Sequence, residues 1–212
     1  MRITKHEHAC LLVTLGDDNL VIDPGVFLTA TEFSGVVAIV ITHEHADHWT
    51  ADHVRRIVER NPEVRILGPA GVAVAAAGDE VEIETVAPGD VVEIEPFKLE
   101  FFGGTHANIH SSIPDIDNVG VLVNDELYYP GDSFALPEVA VDTLAAPIGA
   151  PWLKIGEAMD FVLAVKPNRA FPTHDMTLSV AGKQLSSGRL KWAAEQGGGE
   201  YTDLQPGETL DV

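Results

Sequence analysis

Polar and apolar positions alternate at the start of the chain. Residues 1–4 alternate, 10–15 are mostly apolar, Gly16, Asp17, Asp18 and Asn19 supply turn chemistry, and 20–23 return to an apolar run. This pattern predicts an antiparallel hairpin within residues 2–23, which Asp23, Pro24 and Gly25 then break. Residues 36–41 form an unbroken apolar, β-branched run that is too short for an ordinary helix, so a buried strand is expected there. Apolar residues recur at helical spacing over 51–60, with Thr50 as the N-cap and Asn61 and Pro62 as the stop. Further strands are expected at 64–67, 80–84, 91–95, 97–102, 118–123, 126–129, 143–146 and 168–171, and helices at 69–77, 152–165 and 183–195. The glutamates of 80–84 and 91–95 fall on alternate positions and read as the wet side of a sheet. Such an α/β alternation fits a doubly wound sheet as well as two sheets covered by helices.

Composition narrows the function classes. A chain of 212 residues with 45% hydrophobic residues can bury a substantial core, and one domain spanning 1–212 is expected, with no inserted domain. No apolar run approaches the roughly 20 residues that a membrane-spanning helix needs, so no membrane partner is expected. The N-terminus shows no basic-then-apolar leader pattern and Cys10 is the one cysteine, so a cytoplasmic setting is expected. The 33 acidic residues against 13 basic ones give a net charge of −20, which would repel a phosphate backbone, so no nucleic-acid partner is expected.

The candidate chemistry is concentrated in residues 43–48. Nine histidines in 212 residues would put about 0.25 of one in a random window of six, yet His43, His45 and His48 fall in this one together with Asp47. The cluster stands at the C-terminal end of the strand expected at 36–41. Three more candidates follow apolar segments: His106 after Gly103 and Gly104, Asp132 after Pro130 and Gly131, and His174 after Pro172 and Thr173. Taken singly these are a loop histidine, a turn residue and a cap neighbour; their shared placement after strand ends is the signal. Imidazoles and carboxylates without a thiolate suit zinc, manganese or iron, in a water-accessible catalytic site rather than a structural one.

The H-x-H-x-D-H spacing after a hydrophobic strand resembles the signature of the metallo-β-lactamase superfamily, whose members are mostly dinuclear metal hydrolases, and the three later candidates come in the expected order. The resemblance implies an α/β fold of four layers, an αββα sandwich. It also implies two divalent metal ions, zinc first with manganese or iron as alternatives. His43, His45 and His106 would hold one ion, Asp47, His48 and His174 the other, and Asp132 would bridge them. A metal-bridging hydroxide would then attack the substrate, with Asp47 as the catalytic residue that takes up a proton. His45 stands where flavodiiron-type relatives carry glutamate, and neither a nuclease arm nor a basic glyoxalase-type extension is visible in the sequence. The compact, ascorbate-phosphate lactonase-like branch remains, and with it a small-molecule substrate that is an ester, lactone or phosphoester. The alternatives are a mononuclear iron enzyme resembling persulfide dioxygenases and a non-catalytic metal-binding protein. His8 and His110 resemble positions near the mouth of the site, although by themselves they read as structural or solvent-facing; His6 and His53 have no expected role. Loops 26–35, 107–117 and 133–139 are expected to set specificity and carry no readable code. Oligomeric state is equally unreadable.

Overall fold

The computed structural model describes residues 1–30 and 32–212; Thr31, in the first of the loops expected to set specificity, lies outside the described residues. The first half runs β1 (Arg2–Lys5), β2 (Leu11–Leu15), β3 (Asp18–Ile22), β4 (Val36–Val40), α1 (Ala51–Arg60), β5 (Arg65–Gly68), α2 (Ala70–Ala76) and β6 (Glu84–Thr85). The second half runs β7 (Val91–Ile94), β8 (Phe97–Thr105), β9 (Asp117–Val123), β10 (Leu127–Tyr129), β11 (Thr143–Pro147), α3 (Ile155–Val165), β12 (Arg169–Thr173), α4 (Val180–Gly197), β13 (Glu200–Tyr201) and β14 (Thr209–Asp211). They build two seven-stranded mixed sheets, ordered β14-β1-β2-β3-β4-β5-β6 and β13-β12-β11-β10-β9-β8-β7.

Period-two side-chain alternation produces the layers. Leu11, Val13, Leu20, Ile22, Ala38 and Val40 of the first sheet meet Leu99, Phe101, Val119, Val121, Tyr129 and Phe171 of the second in one core between the sheets. The opposite faces of the same strands carry Val21 and Ile39, packed on Val54 and Ile57 of α1, and Leu122 and Leu144, packed on Phe161 of α3 and Leu190 of α4. Helices therefore cover both outer faces, and the αββα sandwich is the observed fold, not the doubly wound alternative. No helix among the described residues is long and apolar enough to cross a membrane.

Local expectations hold where the signal is local. Thr50 caps α1, its side chain accepting from His53 N, and Asn61 closes the helix. The β2–β3 hairpin pairs Leu11 with Ile22 and Leu15 with Asp18. Most other boundaries shift by one or two residues, and four differ by more. The strand expected at 80–84 shrinks to Glu84–Thr85, because Val81 and Ile83 pack toward the helix-side core instead of laddering with β5. α3 starts at Ile155, leaving Trp152 in the preceding turn, and α4 starts at Val180, where the Ser179 side chain accepts from Gly182 N. β8 extends through the two glycines to Thr105, held by pairing to β9. β13 and β14 were not anticipated; β14 joins the sheet edge at β1, far back in sequence.

Candidate metal centre

The candidates leave their strands at one edge of the sandwich, beyond the C-terminal ends of β4, β8, β10 and β12. Three sets of side chains have potential ligand atoms within 4.8 Å of one another: His43, His45 and His106; His8, Asp47, His48 and His174; and His43, His48 and Asp132. All seven residues singled out from the sequence are thus brought together, with Asp132 near members of both groups. Its Oδ1 lies 3.2 Å from His48 Nε2, and its Oδ2 lies 3.1 Å from His174 Nε2 and 3.4 Å from His106 Nε2.

Backbone and side-chain acceptors fix how the imidazoles are presented. His106 Nδ1 is 2.6 Å from the Ala107 carbonyl and His174 Nδ1 is 2.6 Å from the Gly149 carbonyl. A carbonyl only accepts, so each Nδ1 donates, and in the neutral ring each Nε2 keeps its lone pair for a proton or a metal ion. His48 Nδ1 donates likewise to Asp23 Oδ2 at 2.6 Å. The Thr42 hydroxyl donates to Asp23 Oδ2 at 2.7 Å and accepts from His43 Nδ1 at 3.1 Å, so Asp23 orients His48 directly and His43 through Thr42. His45 differs in turning Nδ1 toward His43 Nε2, at 3.1 Å.

These arrangements leave acceptors facing acceptors. Among the described residues, His48 Nε2, His106 Nε2, His174 Nε2 and Asp132 Oδ1 are all buried without a hydrogen-bond partner. Orphaned buried acceptors are costly unless something positive lies among them, and converging nitrogen and carboxylate lone pairs fit a transition-metal ion. The electrostatics agree in direction. Burial lowers the His174 pKa, but Asp132 and Asp47 outweigh it and push it up to about 9. Burial opposes charge on His48 too, yet Asp132 and Asp23 hold its pKa well above the ordinary histidine value. His43, under burial and beside His48, is held well below that value. Asp132 stays an anion despite burial because His48 and His174 flank it.

Supporting residues were harder to foresee. Asp23 belongs to the Asp-Pro-Gly turn, which the residues alone mark only as the break after the hairpin. Trp152 donates its indole N–H to Asp132 Oδ2 at 2.7 Å, and nothing in its sequence context signals this. Of the structural and solvent-facing readings, His8 takes the first, fully buried beside Asp47, whereas His110 is exposed and its Nδ1 contacts the Ser112 hydroxyl. His53 Nδ1 donates to the Gly25 carbonyl and His6 packs edge-on against Phe33; neither joins the cluster.

Known proteins share both sequence and architecture with this chain. A family model described as a β-lactamase superfamily domain matches residues 2–174, a span holding all seven candidates. Protein Rv0786c of Mycobacterium tuberculosis is 37% identical over 196 residues, covering 90% of this chain and 91% of that protein. A UPF0173 metal-dependent hydrolase of Saccharolobus solfataricus is 26% identical over 228 residues, covering 97% and 96%. The solved structure of a metallo hydrolase from Ignicoccus hospitalis matches with a TM-score of 0.77 at 18% identity, over 99% of this chain and 97% of that one, a likeness of fold. On this family match and on the sandwich that positions the histidine cluster, the chain belongs to the metallo-β-lactamase superfamily.

Proposed function

We propose that the protein is a metal-dependent hydrolase with a two-ion centre. His43, His45 and His106 would hold one ion, Asp47, His48 and His174 the other, and Asp132 would stand between them. The observation that carries this reading is the set of buried, partnerless acceptors gathered round Asp132: His48 Nε2 lies 3.2 Å from its partnerless Oδ1, and His174 and His106 Nε2 lie 3.1 and 3.4 Å from its other oxygen. The metal-dependent hydrolase of Saccharolobus solfataricus, aligned over nearly its whole length, supports the same class. Divalent ions at such a centre supply Lewis acidity to a substrate oxygen and lower the pKa of bound water toward about 7.

The chain's own residues do the rest. Asp47 is partly exposed, as is His45, while His43, His48, His106, Asp132 and His174 are buried, so its carboxylate lies between solvent and the buried histidines and can accept a proton during bond cleavage. Trp152 N–H holds one Asp132 oxygen, which fixes the carboxylate plane without using its other oxygen. Zinc is the favoured metal, with manganese or iron as alternatives. The substrate class is a small ester, lactone or phosphoester, as in the lactonase-like branch. The test is to assay zinc-, manganese- and iron-loaded protein against lactones, thioesters and phosphodiesters. Hydrolysis that disappears on chelation and returns with metal supports the reading; turnover indifferent to chelation would sink it.

A further inference from the structure

His8 approaches the centre from the β1–β2 loop. By distance alone it joins Asp47, His48 and His174 as a group able to hold an ion. Its hydrogen bonds say otherwise. The Met176 backbone N–H donates to His8 Nδ1 at 3.1 Å, so that nitrogen carries the lone pair, and the proton of the neutral ring sits on Nε2. Nε2 lies 3.2 Å from Asp47 Oδ2 and donates to it. The His8 carbonyl meanwhile accepts the His174 backbone N–H at 2.9 Å, and the two rings pack tilted by 50° with centroids 3.9 Å apart. His8 is 0% exposed and holds a left-handed backbone, φ 61°, which a non-glycine residue keeps only where its surroundings determine it.

Resting on the metal-centre reading above, we propose that His8 is a positioning residue that aims the Asp47 carboxylate and ties it to His174, and is not an eighth ligand. Among the described residues His8 is the one side chain that donates a hydrogen bond to Asp47; His174 Nε2 lies 3.4 Å from the same carboxylate oxygen. A partly exposed carboxylate on a loop needs such a brace to present one oxygen in a fixed direction. The brace comes from the N-terminal hairpin, so one residue couples the loop after β4 to the end of β12.

The test compares His8→Asn and His8→Gln with the wild type and with His174→Ala, all full-length. Asn tolerates the left-handed backbone and offers an oxygen to Met176 N–H, but is too short to reach Asp47; Gln reaches it with an amide N–H. Zinc affinities are read by chelator competition, the ligand field by the absorption of cobalt-loaded protein, and turnover at saturating metal. His8→Asn should weaken one of the two zinc affinities by about 10- to 100-fold, leave the other unchanged, fill both sites at excess zinc and lose turnover. His8→Gln should recover to within a few-fold of wild type, and both variants should melt within a few degrees of it. Wild-type affinity and turnover in His8→Asn would overturn the proposal. So would outright loss of an ion from both variants, as in His174→Ala, which would make His8 a ligand, or collapse of both folds, which would make it purely structural. Wild-type protein that binds no zinc would overturn the metal-centre reading itself.

Discussion

At the scale of the residue, the histidines are defined by what their second nitrogen touches. With Nδ1 bound to Ala107 O, Gly149 O and Asp23, the Nε2 atoms of His106, His174 and His48 can serve only as acceptors of positive charge, and a proton competes with a metal ion for each. His174 makes this testable. Its folded pKa of about 9 stands above the ordinary 6.5, so in chelator-treated protein the folded state binds more protons between those values. The stability it contributes is fully present below 6.5 and is lost as pH rises through about 9. Calorimetry should therefore show the chelated protein losing melting temperature across that window, while zinc-saturated protein, whose ion replaces the proton, does not. Parallel pH slopes would contradict the shared site. Asp132 and Asp47 separate in the same way. Asp132→Ala removes the carboxylate that approaches imidazoles of both groups and should weaken both metal affinities, whereas Asp47→Ala should spare the ion held by His43, His45 and His106 and reduce turnover by roughly 100-fold or more. A fully occupied Asp132→Ala protein would contradict the bridging role. All seven candidates were legible because density and order along the chain are sequence properties. The orienting roles of Asp23, Trp152 and His8 were not, because an orienting hydrogen bond leaves no spacing to read.

At the scale of the element, the turn at Asp23, Pro24 and Gly25 shows how little punctuation reveals of its load. It marks the end of β3, yet Asp23 braces Thr42 and His48, and Gly25 makes room for the loop that follows β4. A Cβ at Gly25 would stand 1.8 Å from the Asp47 carbonyl oxygen, with backbone rather than a flexible side chain in the way. Gly25→Ala should cost at least about 1–3 kcal/mol of stability and lower metal content with it. Gly188 inside α4 is the control: a Cβ there meets nothing within 4 Å, and Gly188→Ala should stabilise by about 0.5–1 kcal/mol. Urea unfolding of the two variants checks both signs, and similar stability changes would remove the special role of Gly25. Hairpins and capped helices were legible because their causes lie within a few residues. The short edge strands β13 and β14 depend on distant partners, β12 and β1, and two or three residues carry too little pattern to announce them.

At the scale of the whole molecule, alternation of strands and helices left a doubly wound sheet and a two-sheet sandwich equally open. The choice rests on long-range pairing: β1 takes β14 as an edge partner, and inward side chains of both sheets share one core. Only the resemblance of the histidine cluster to a known family anticipated it. That architecture explains why residues far apart in sequence, His43 and His174, meet at one rim: parallel neighbours such as β11 and β12 end on the same side. We propose that this rim holds two ions that serve hydrolysis. The most direct test is a zinc titration of chelator-stripped, full-length protein with metal per chain and ester, lactone and phosphoester hydrolysis read on the same samples. Saturation at two ions per chain, with turnover appearing as the centre fills, is the predicted result; saturation at one ion, or full loading without hydrolysis of any substrate class, would contradict it.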